Sequence, residues 1–267
     1  MTLSRTTKLV LGLLTALVLA VIYLPLGIVV VNSFNSSRSF SWPPSGFTTT
    51  WWHAAWNNPD VRDSLRLSIE VALASTGIAL VLGTMAALAL ARYRFFGRDA
   101  VSLLIILPIA LPGIVTGLAF QNVFRTILHI DLGYWTIVVA HATFCIVTVF
   151  NNVLARLRRI GGNLEEASMD LGAGTLTTFR LVTFPALRSA LLAGGLLSFA
   201  LSFDEIIVTT FTAGGGRTLP LWIFDHMFRP NDAPVVNVIA AALIAHSIVP
   251  IWLAQRLSQG DDLVGAR

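Results

Sequence analysis

Long apolar runs, parted by short polar stretches, set the pattern of this chain. Residues 9–31 are apolar and follow Arg5 and Lys8. A run of that length crosses the bilayer, and it is longer than the core of a secretory signal and lacks a small-residue cleavage site. It reads as a retained first helix entering from the cytoplasm. Further runs cover residues 67–90, 101–124, 134–153, 190–211 and 235–253. Together they predict an all-α integral membrane protein of six transmembrane helices. Residues 1–60 divide into the first helix and an outer arm, 61–255 form the membrane core, and 256–267 are a short polar tail. The arm, from Asn32 to Asp60, carries Pro43, Pro44, Trp51, Trp52 and Trp56. Tryptophans at a span end prefer the headgroup layer, so the arm is expected to lie on the outer face. Pro108 and Pro112 fall inside the third run. Prolines there kink the helix and free carbonyls that protein or water must satisfy, which favours a pathway-lining helix.

Charge orients these spans. Arg5, Lys8, Arg92, Arg94, Arg98, Arg156, Arg158, Arg159, Arg180, Arg188, Arg256 and Arg267 fall on one face; Arg38, Arg62, Arg66, Arg125, Arg217 and Arg229 fall on the other. Twelve against six places both termini in the cytoplasm by the positive-inside rule. The chain is 55% hydrophobic and 12% charged, where a soluble domain carries about 25% charged residues. Its basic residues sit at span ends rather than on one patch, so no nucleic-acid partner is expected. Cys145 is alone in an apolar run, which leaves no disulfide and no cysteine metal site. It reads as a small buried hydrophobe. His141 and His246, each isolated in a span, read as hydrogen-bonded structural residues rather than metal ligands.

The longest polar interruption on the basic side lies within residues 156–188. Leu164, Ala167 and Leu171 share helical spacing, and Glu165 and Glu166 stand in the first turn, where the helix dipole favours anions. Gly172 supplies the stop. A second short helix carries Thr178 and Phe179, and Pro185 suits the first turn of the next span. The whole is a helix–turn–helix knob; read blandly, it is an amphipathic surface hairpin without a partner.

Ser202-Phe203-Asp204-Glu205 interrupts the fifth run. A charge at the bilayer centre costs at least about 2.5–3.5 kcal/mol, so such residues usually face a cavity. Counted from Ala190 at about 1.5 Å per residue, Asp204 lies roughly 20 Å along the helix, in the outer half of the membrane. Adjacent carboxylates point about 100° apart, so one of them faces a cation pathway at most. An ion pair with Arg125 or Arg217, or a cap on a broken helix, would explain the same residues. Gly214 to Gly216 read as a flexible hinge before an outer helix, residues 219–228, with Trp222 at the interface. Asp225, His226 and Asp232 are available there to an external partner. No G-x-x-x-x-G-K-[ST] phosphate loop and no rhomboid-type G-x-S-G serine occur, so the chain is not expected to be an enzyme or to have catalytic residues.

The loop resembles the EAA loop of ATP-binding-cassette (ABC) importer permeases. Glu166, Ala167, Gly172, Ala173 and Phe184-Pro185 match that pattern, and Ser168 stands where a second alanine is commoner. Residues 67–253 as a whole resemble the type I importer permease core. The stretch from Leu107 to Pro112, that from Leu197 to Glu205, Thr218 to Trp222 and Pro234 to Asn237 resemble the second permease subunit of polyamine (spermidine/putrescine) importers. The resemblance implies a multi-pass protein of the bacterial inner membrane in complex with two ATPase subunits, a second, different permease subunit and a periplasmic binding protein. ATP and Mg would then sit on the ATPase, with no cofactor on this chain. Glu165, Glu166, Ala167, Asp170, Gly172, Ala173, Phe179 and Pro185 are implied in ATPase coupling. Phe203, Asp204, Glu205 and Trp222 are implied in the pathway of a cationic substrate, through charge and cation–π contact. A permease for another small solute, such as an amine or a ferric chelate, would keep the loop without needing the acids. A secondary transporter or channel would keep the acids without needing the loop.

Overall fold

Inside lipid a helix satisfies every backbone group of its own segment, and the apolar runs fold accordingly. The computed structural model describes residues 4–38, 42–229 and 231–246. Among these the extended backbone pairs only in a lone bridge between Asn35 and Phe47. The chain divides into two compact units.

The first unit, within Met1–Arg62 and Ile223–Val249, holds α1 (Arg5–Asn32), α2 (Thr50–Asn57) and α12 (Ala233–His246). Ser4 caps α1, its hydroxyl accepting from the Thr7 N–H at 3.1 Å. Asn32 is the one buried residue of α1, and its leucines and valines face outward on every side, as suits a helix solvated by lipid. The arm is folded rather than draped. Trp51 Nε1 donates to the Asn35 carbonyl at 3.0 Å, and the Trp52 ring stacks on Phe34 with centroids 5.3 Å apart. Both indoles are therefore half-buried packing groups; Trp42 and Trp56 are the ones left open to a headgroup layer. His226 is also buried, its Nε2 4.0 Å from the Asp232 carboxylate, so it is not open to an external partner as expected. Of the expected sixth span, 235–253, the structure describes the part to His246, which is helical as α12; residues 247–253 lie outside the described residues, as does the tail.

The second unit, within Asp63–Trp222, is organised on α6 (Tyr134–Ile160). Ile137, Val138, Val147, Val149, Phe150 and Val153 of α6 are fully buried. Around it lie α3 (Pro59–Arg92), α4 (Arg98–Ala110), α5 (Gly113–Asn122, continued by a π turn Val123–Ile127) and α9 (Phe184–Phe203). Small residues let the backbones close up, as in other membrane bundles. A Cβ on Gly83 of α3 would stand 2.9 Å from the Ile146 carbonyl, and one on Gly194 of α9 would stand 3.3 Å from Val149 Cα. Cys145 and Ser198 exchange bonds across the α6–α9 contact: the thiol donates to the Ser198 carbonyl at 3.4 Å, and the Ser198 hydroxyl to the Cys145 carbonyl at 3.2 Å. The cysteine is the small buried residue its context predicts.

Two expected spans are redrawn. The third is no kinked helix: α4 and the α5 segment meet at 104° across Leu111-Pro112, as a broken span or a re-entrant loop. The fifth does not run over 190–211. Its helix is continuous from Thr175 to Phe203 and stops at Asp204, and α10 (Ile207–Thr212) starts afresh beyond the break. Hydropathy extends that span through residue 211 because Ile206, Ile207, Val208 and Phe211 are apolar, and it carries no record of the break before them. Among the described residues four helices are long and apolar enough to cross a membrane, or five if the bent pair is one span.

Candidate functional sites: the knob and the break

The knob is built from α7 (Asn163–Asp170), α8 (Thr175–Thr178) and a π turn, Phe179–Thr183, that runs into α9. Pro185, in the first turn of α9, has no N–H for the Leu181 carbonyl and would crowd it; the π turn widens the helix where an α turn would clash. α7 ends in a Schellman motif: Gly172 N–H donates to the Met169 carbonyl at 2.9 Å and Ala173 N–H to the Ser168 carbonyl at 3.1 Å. This closure requires a left-handed residue, and Gly172 supplies it at φ +87°. The Ser168 hydroxyl lies 3.0 Å from that of Thr178, tying α7 to α8. That bond gives the serine a role where the family pattern favours alanine.

Helical spacing foretold an apolar stripe on α7, and the structure turns it outward. Leu164, Ala167, Met169 and Leu171 are exposed, Leu171 to 90%, and so is Leu176 of α8 to 79%. No residue of α7 is buried. The two first-turn glutamates divide. Glu166 is exposed, together with Asp170 and Pro185, while Ala173 is half-buried and Phe179 is 36% exposed. Glu165 points inward, to Arg92 and Thr183. Neither Arg92 nor Thr183 is legible in the sequence as a site residue; Arg92 stands there only as one of the basic residues of its face.

The break in the fifth span is held by hydrogen bonds. Glu205 Oε1 accepts from the Val208 N–H at 2.9 Å, capping the first turn of α10, as the broken-helix reading of this acid requires. Behind it, buried His141 of α6 bonds on both sides, Nδ1 to the Ser202 hydroxyl at 2.8 Å and Nε2 to the Thr209 hydroxyl at 2.9 Å. Thr209 already gives its proton to the Glu205 carbonyl at 2.7 Å, so it accepts from His141. The imidazole therefore carries its proton on Nε2, and Nδ1 accepts from Ser202. α6 thus pins both lips of the break. Asp204 is exposed, and its carboxylate takes no hydrogen bond or ion pair among the described residues. Phe203 is half-buried and stacks on Phe199 at 5.9 Å. α10 packs on α5, where a Cβ on Gly117 would stand 2.6 Å from the Phe211 ring and one on Gly113 3.6 Å from Ile207. The broken third and fifth spans therefore meet.

Trp222, in α11 (Leu219–His226), is only 2% exposed and so does not sit at the interface as expected. The first turn of α11 is held by the Ser68 hydroxyl, which accepts from the Leu219 N–H at 2.7 Å. Gly214 is no loose hinge: at φ +60°, a Cβ on it would stand 2.5 Å from the Leu132 carbonyl, so it is a packed turn.

A family model described as binding-protein-dependent transport system inner membrane component matches residues 79–260. The chain belongs to this family. The spermidine/putrescine transport system permease protein PotC of Escherichia coli K12 is 36% identical over 250 residues, covering 93% of each chain. The putrescine transport system permease protein PotI of the same strain is 34% identical over 231 residues, 84% of this chain and 81% of that one. Solved structures share the fold. A chain of a bacterial ABC transporter importing the acidic polysaccharide alginate matches with a TM-score of 0.69 at 17% identity, over 97% of this chain and 99% of that one. A chain of the MetNI methionine ABC transporter matches at 0.58 and 17%, over 79% and 95%. The fold is that of a type I ABC importer permease, and the chain is a multi-pass membrane transport component whose family works with a binding protein.

Proposed function

We propose that this permease translocates polyamines, putrescine or spermidine, across the bacterial inner membrane as one of two different permease subunits of an ATP-driven importer. The observation that carries the reading is its 36% identity, nearly end to end, with a spermidine/putrescine permease. The break in the fifth span supports it, because the exposed carboxylate of Asp204 there, without a partner among the described residues, suits an ammonium group. Phe203 beside it offers a ring face for cation–π contact. Glu205 caps α10 and shapes the break, and Trp222 is buried rather than open to a pathway. A periplasmic binding protein delivers the cargo. Two ATPase subunits, holding ATP and Mg, dock on the exposed residues of α7 and α8, with Glu166 the acid presented to them. ATP-driven closure of the ATPase pair moves the knob and rocks the spans between outward and inward access. The chain itself does no nucleotide chemistry.

The test is uptake of labelled putrescine and spermidine into proteoliposomes carrying the assembled complex. Asp204→Asn is expected to lower uptake about 10- to 100-fold, the scale of one charge-assisted contact. Glu166→Ala is expected to uncouple uptake from ATP hydrolysis. Wild-type complex that hydrolyses ATP on another binding protein's cargo, yet moves no polyamine, would refute the cargo and leave the permease standing.

A further inference from the structure

α7 buries none of its own residues, so something other than packing must hold it to the bundle. Beside the Ser168–Thr178 hydroxyl contact to α8, that something is Glu165. Its Oε2 lies 2.8 Å from Arg92 Nε, and its Oε1 accepts from Arg92 Nη2 at 2.9 Å and from the Thr183 hydroxyl at 2.8 Å. Arg92 Nη2 also donates to the Gly161 carbonyl at 2.9 Å. Gly161 ends α6 and Thr183 leads into α9, so both belong to spans that the loop joins along the chain. Arg92 does not: it is the last residue of α3, about seventy positions earlier. The pair is mostly sheltered, with side-chain exposures of 24% and 17%. Sheltering strengthens the attraction; Nη2 alone hydrogen-bonds the carboxylate, and Nε faces Oε2 as an ion-pair contact.

We infer that Arg92 and Glu165 form a latch that carries motion of the docked α7 into α3, a span with no chain connection to the loop. Arg92 is thus a positioning residue for transport. Without the latch, α7 would drive α6 and α9 alone, and ATP would be hydrolysed with α3 left behind. The inference rests on the reading that an ATPase docks on the knob.

The test uses the complete importer in proteoliposomes and reads labelled putrescine uptake per ATP hydrolysed. Arg92→Lys keeps the charge but loses the guanidinium that joins Glu165 to the Gly161 carbonyl, and Glu165→Gln keeps the shape but loses the charge. Each is expected to lower uptake per ATP roughly tenfold with the ATPase still bound. The exchange Arg92→Glu with Glu165→Arg is expected to restore part of it. Uptake per ATP unchanged in both single variants would overturn the latch alone. Failure of the wild-type chain to bind the ATPase would overturn the docking reading, and the latch with it. A second measurement needs no latch variant. Spin labels on Arg94→Cys and Met169→Cys, with Cys145→Ala, are expected to keep one separation with and without ATP. A change of about one helical turn, ~5 Å, would overturn the latch.

Discussion

At the scale of single residues the knob depends on a glycine whose reason is geometric. Gly172 meets no neighbour a Cβ would strike, so its cost on substitution comes from φ +87° alone. Alanine in that conformation costs about 1–2 kcal/mol. If the closed turn is the form that docks, Gly172→Ala should weaken ATPase binding roughly fivefold to thirtyfold, measured by titrating the purified permease with ATPase. Gly174→Ala is the control: its φ is −73° and it too has open space, so binding should not change. Equal losses in the two variants would remove the Schellman turn from the account. The sequence displayed this glycine plainly, because a glycine after an amphipathic turn has few other uses. It did not display which glutamate turns inward. Glu165 and Glu166 have the same chemistry in the same turn, and only the approach of Arg92 tells them apart.

At the scale of elements, hydropathy located the spans and missed their interruptions. Transfer energy counts apolar side chains and is blind to backbone direction, so Val208 and Phe211 extended the fifth span although the chain turns at Asp204. The signals are present in Asp204-Glu205 and in Leu111-Pro112-Gly113. The hydrogen bonds that hold the break, from His141 to Ser202 and Thr209, join residues 61 and 68 positions apart. Local pattern does not contain them. The arm illustrates the same limit, since Trp51 and Trp52 are alike in sequence to Trp56 but turn inward. The α3–α6 contact, by contrast, makes a sharp demand on one glycine. Gly83→Leu would place a branched side chain where a Cβ already stands 2.9 Å from the Ile146 carbonyl. It should cost about 1–3 kcal/mol and lower the melting temperature of the detergent-solubilised permease. Gly77, on an open part of the same helix, should accept leucine with little change. Equal melting temperatures for the two variants would mean that the helices do not approach so closely.

At the scale of the whole molecule, sidedness decides whether the knob meets an ATPase at all, and it follows from charge. The latch places the end of α3 beside α7, so the loop of residues 93–98 that begins there opens on the same side as the knob. Phe96 in that loop is fully exposed, and Trp56 of the arm is 75% exposed. Cys145, the chain's one cysteine, is wholly buried and gives its thiol to Ser198, so the unmodified protein should stay silent to a membrane-impermeant maleimide. Phe96→Cys should react in inside-out vesicles and not in intact spheroplasts, and Trp56→Cys should react in spheroplasts alone. An excess of basic residues near span ends biases a loop toward the cytoplasm, and Arg94 and Arg98 flank Phe96 itself. The reverse labelling would put the apolar stripe of α7 in the periplasm, out of an ATPase's reach. It would also require the twelve basic residues on that face to have crossed the membrane.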